Sequence, residues 1–113
     1  MYQVKEQDWK LFRQRLPGWQ EAYMDKLNQE YIQILSGEGC GSDKFWELEK
    51  RIRTDKKSAG VVADMRRSQM YPNLLSLLAN GIIQESDLTG FSTELTEMIK
   101  IVGQRHKLFT EQI

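Results

Sequence analysis

Cysteine and histidine occur once each in the 113 residues, as Cys40 and His106. A lone thiol cannot close an internal disulfide, and one Cys with one His cannot assemble a zinc site of the usual nitrogen–sulfur type. The chain also lacks an excess of either charge, sixteen Lys and Arg balancing sixteen Asp and Glu. No global field therefore draws it to nucleic acid or to an anionic membrane. Long apolar runs are missing too. The longest stretch, LLSLLA at 74–79, is far below the ~20 residues that a spanning helix needs. The opening MYQVKEQDWK has no apolar segment of the signal-peptide kind. These absences predict a reduced, cytoplasmic protein without cofactor or metal.

What is present suffices for a core. The chain is 40% hydrophobic and 28% charged, with three Trp, four Tyr and four Phe, an ordinary globular composition. Its length fits a single domain over 1–113 that buries roughly two-thirds of its unfolded surface. No alternating strand pattern occurs, and the expected fold is all-α, with five or six helices and a long central one.

Trp9, Phe12 and Leu16 have helical spacing. Pro17 then predicts a break, with a short helix at about 5–15 and a second from 17. In that second helix Trp19, Tyr23, Leu27, Tyr31, Ile34 and Leu35 form one stripe, ended by Gly37, Gly39 and Gly41. Ser42 reads as the cap of a third helix with Phe45, Leu48 and Ile52 inside. Its continuation to about residue 67 would add Ala59, Val62 and Ala63, with Gly60 allowing a neighbour to approach. A shorter helix follows with Leu74, Leu75 and Leu78, entered near Pro72 and stopped by Asn80-Gly81. A connector with a helical turn near Ser86 leads to a last helix from Ser92, which presents Leu95, Met98, Ile99, Val102 and Phe109.

Charge is clustered even though the total is zero. Residues 44–67 hold eight bases and four acids, +4 between two flanks of −2. At 100° per residue Trp46, Lys50, Arg53 and Lys57 share one side of a helix, roughly opposite Phe45, Leu48 and Ile52. Glu47, Arg51 and Asp55 at i, i+4 spacing read as an ion-paired flank. An amphipathic ring beside cations is the mixture found at binding hot spots and on nucleic-acid surfaces. Lys56, Arg66 and Arg67 would widen that surface if the helix continued, Arg66 being less well aligned. Two plainer accounts compete: another helix covers Trp46, or the basic stems stack on its ring.

Catalytic signatures are scarce. GEGCGSDK has glycines before a helix start, but lacks a preceding strand and the Gly-Lys-Ser/Thr ending of a phosphate loop. An enzyme would have to use Cys40, placed before a helix N-terminus where thiol pKa values fall, or carboxylates that no motif pairs.

The segments WKLFRQRLPGWQEAYMDKL, FWELEKRIRTDKKSAGV, MRRSQM and SLLANGIIQESDLTGFSTEL resemble a group of small helical proteins of Gram-positive bacteria and their mobile elements, often labelled multidrug transporters. A transporter needs spanning segments that this chain lacks. Proteins of that size and setting are similar to anti-CRISPR inhibitors. The resemblance thus implies a non-enzymatic interaction protein that inhibits a Cas nuclease or its guide complex. The partner-binding candidates are Trp46, Lys50, Arg53, Lys56, Lys57 and Arg67. The alternative is a small nucleic-acid-binding module using the basic segment 44–67.

Overall fold

The computed structural model describes the backbone of residues 2–111 and the side chains of residues 2–103. Four α-helices account for most of it: α1 Glu6–Ser36, α2 Gly41–Asp55, α3 Met70–Ala79 and α4 Thr93–Glu111. Short 3-10 turns at Arg67–Gln69 and Glu85–Leu88 lead into α3 and fill the α3–α4 connection. No strand occurs among the described residues. The all-α class holds, with four helices in place of five or six.

The long helix is the first one. Pro17 lies inside α1 and does not break it, although an interior proline costs about 3 kcal/mol. Packing on both sides of the proline explains this. Trp9, Phe12 and Leu16 are buried before it and Leu27 after it, and Gln20 donates to the Ala59 carbonyl at 3.1 Å. One helical register satisfies all of these contacts, and the apolar face runs through position 17 without a step.

The core sits at one end of the molecule, whose extents are 52 × 36 × 22 Å. Trp9, Phe12 and Leu16 of α1 meet Met70, Leu74 and Leu77 of α3, Leu95 and Ile99 of α4, and Ile83, Leu88 and Phe91 from the connection. Asn80 and Gly81 end α3 as expected, Gly81 at a φ of 70° that a glycine adopts without strain. Ser92 caps α4, its hydroxyl accepting from the Leu95 N–H at 3.3 Å. Phe109 lies outside the described side chains.

The sequence did not announce the buried Asp8. Its carboxylate accepts from the Tyr2 hydroxyl at 2.5 Å, the Ser92 N–H at 2.8 Å and the Ser92 hydroxyl at 2.6 Å. A buried charge is tolerable when donors surround it in this way. It ties the chain start, α1 and the N-terminus of α4 together. Burial, then the bond to Asp8, pushes the Tyr2 pKa up to about 12.

The C-terminal half of α1 extends beyond this core and is joined by α2, which folds back antiparallel to it after the loop at 37–40. Gly39, at a φ of 132°, makes that reversal possible. Cys40 is extended and its carbonyl accepts from Lys44, so the helix opens at Gly41 and Ser42 is not its cap.

Candidate interaction surface on the second helix

α2 ends at Asp55, well short of residue 67. Lys57 and Ser58 donate to the carbonyls of Thr54 and Asp55, and Val61 and Val62 turn back to Ser58. The turn seats Ala59 in the core and places Gly60 against α1. A straight helix would have carried both away from these contacts. Gly60 does permit a close approach: a Cβ there would lie 2.5 Å from the Tyr23 ring and 2.9 Å from Ile82.

α2 buries none of its residues. It meets α1 through contacts that include a polar network. Tyr31 donates to Asp55 at 2.5 Å, and burial followed by that bond pushes its pKa up to about 12. Arg51 lies over the Tyr31 ring, 3.4 Å from Glu30 and 3.8 Å from Asp55. The expected ion-paired flank therefore forms with Glu30 of α1 in place of Glu47.

This packing turns part of the predicted inside outward. Phe45 is 61% exposed and Ile52 37% exposed, and both line an open groove of about 310 Å³ with Leu48, Glu49, Arg53 and Lys56. Leu48 is half-buried, but among the described residues no helix covers Phe45 and Ile52, which were expected inside. Trp46 lies roughly opposite the α1 contact by helical geometry. It is 63% exposed, edge-on to Phe45 with ring centres 5.0 Å apart. Among the described residues no cation stacks on Trp46; the stacked arginines lie over Trp9, Phe91 and Tyr31.

The six predicted binding residues are only partly brought together. Trp46, Lys50 and Arg53 share the outer face of α2, and Lys56 sits at its end beside the groove. Lys57 is exposed in the turn, off the helix. Arg67 belongs elsewhere: it pairs with Glu6 at 2.6 Å and covers Trp9 near the start of α1, about 45 Å of helix from the other end. The arginines of segment 44–67 are all engaged, Arg53 with Glu49, Arg66 with Asp64, and Arg51 and Arg67 as above. The Asp64 carboxyl is lowered in pKa by its hydrogen bonds from Arg66. Lys50, Lys56 and Lys57 make no ion pair among the described residues.

Cys40 is exposed, its sulfur 3.4 Å from the Ser42 hydroxyl. No described helix is long and apolar enough to cross a membrane, and no described group of three His, Cys, Asp or Glu residues is placed to hold a metal ion. Comparisons with protein-family models, curated proteins and solved structures returned no match.

Proposed function

We propose that this protein is a non-enzymatic interaction protein that presents the outer face of α2 to another macromolecule. Following its resemblance to small helical proteins of mobile elements, we take that partner to be a Cas nuclease or its guide complex. One observation carries the binding reading: two neighbouring aromatic rings, Phe45 and Trp46, stand in solvent on a helix with no fully buried residue. Exposing both rings gives up burial worth about 1.5–3 kcal/mol for a side chain such as Phe. Aromatic anchors of this kind dominate binding energy when a partner covers them.

The charge pattern favours a protein surface over bare nucleic acid. Affinity for phosphates comes from cations free to displace counterions; the four arginines of 44–67 are already paired within the chain, which leaves that role to its lysines alone. A neutral total charge also suits blocking by contact better than mimicry of a polyanionic duplex.

The test is a pull-down with guide-loaded Cas nucleases, followed by DNA cleavage in the presence of the protein. Capture and slowed cutting, both weakened by Trp46→Ala and unaffected by Lys5→Ala, are expected. Absence of capture and full cutting across several nuclease types would remove the nuclease assignment. Tight, salt-sensitive retention on heparin would favour the nucleic-acid module instead.

A further inference from the structure

We draw no further inference here: the strongest candidate, the open apolar cleft of about 810 Å³ between α3 and α4, lined by Leu75, Leu78, Ile83, Ile99 and Val102, carries none because nothing among the described residues shows what covers it.

Discussion

Asp8 and Ser92, 84 positions apart, are joined by two hydrogen bonds, one to the serine N–H and one to its hydroxyl. This pair closes the core, because it fixes the first turn of α1 on the first turn of α4.

Asp8→Ala removes the acceptor for three donors at once. A stability loss of about 3 kcal/mol is expected in urea unfolding. Asp8→Asn should lose less, since its amide oxygen can still accept from the Ser92 N–H. A loss under about 0.5 kcal/mol for the alanine variant would show that the link contributes little.

Gly60→Ala tests how tightly the turn after α2 is seated. The added methyl group meets Tyr23 and Ile82 at separations real side chains do not show, so one of them must move, at a cost of about 1–3 kcal/mol. Thermal unfolding should register a lower midpoint. An unchanged midpoint would mean that the Tyr23 ring swings away freely.

The two tyrosines predict a specific alkaline weakness. Tyr2 and Tyr31 keep their protons to about pH 12 in the folded chain, against a normal value of 10.0. Between these limits the unfolded chain binds fewer protons than the folded one, so stability falls as pH rises. Their contribution is complete below pH 10 and lost through pH 12. Tyr2→Phe and Tyr31→Phe should each lower stability at neutral pH yet flatten the decline over that window. A slope unchanged in both variants would assign the decline to other groups.

Phe45→Ala and Trp46→Ala should be nearly silent in stability, within about 0.5 kcal/mol. Leu74→Ala, emptying a fully buried site, should cost about 2–5 kcal/mol. Parallel urea titrations make the comparison. A large loss from Trp46→Ala would place its ring inside the fold.

Much of the fold was legible because apolar spacing is a local signal. The stripes holding Phe12, Leu74 and Leu95 identified real helices and part of their core. In α3, however, the structure buries Met70 and Leu77 beside Leu74, where Leu75 and Leu78 were expected; in α4 it buries Leu95 and Ile99 while Val102 is exposed. The long-range choices were not legible. Pro17 reads as a break in any short window, and only contacts from Leu16 and Gln20 show why α1 runs on. The end of α2 at Asp55 likewise depends on where Ala59 must go. Trp46 could be placed with Lys50 and Arg53 by counting around a helix, whereas Phe45 and Ile52 were assigned to an interior that no partner helix supplies. Arg67 could not be separated from that group by counting, because the intervening turn redirects the chain.

The absence of buried side chains from α2 has a dynamic consequence. Local opening is cheapest where few apolar contacts are lost, so amide protons of α2 should exchange long before those around Leu74 and Leu95. A ligand that clamps α2 would slow that exchange and lose part of its affinity to the ordering. The distal arm thus remains adaptable while the opposite end of the molecule stays locked.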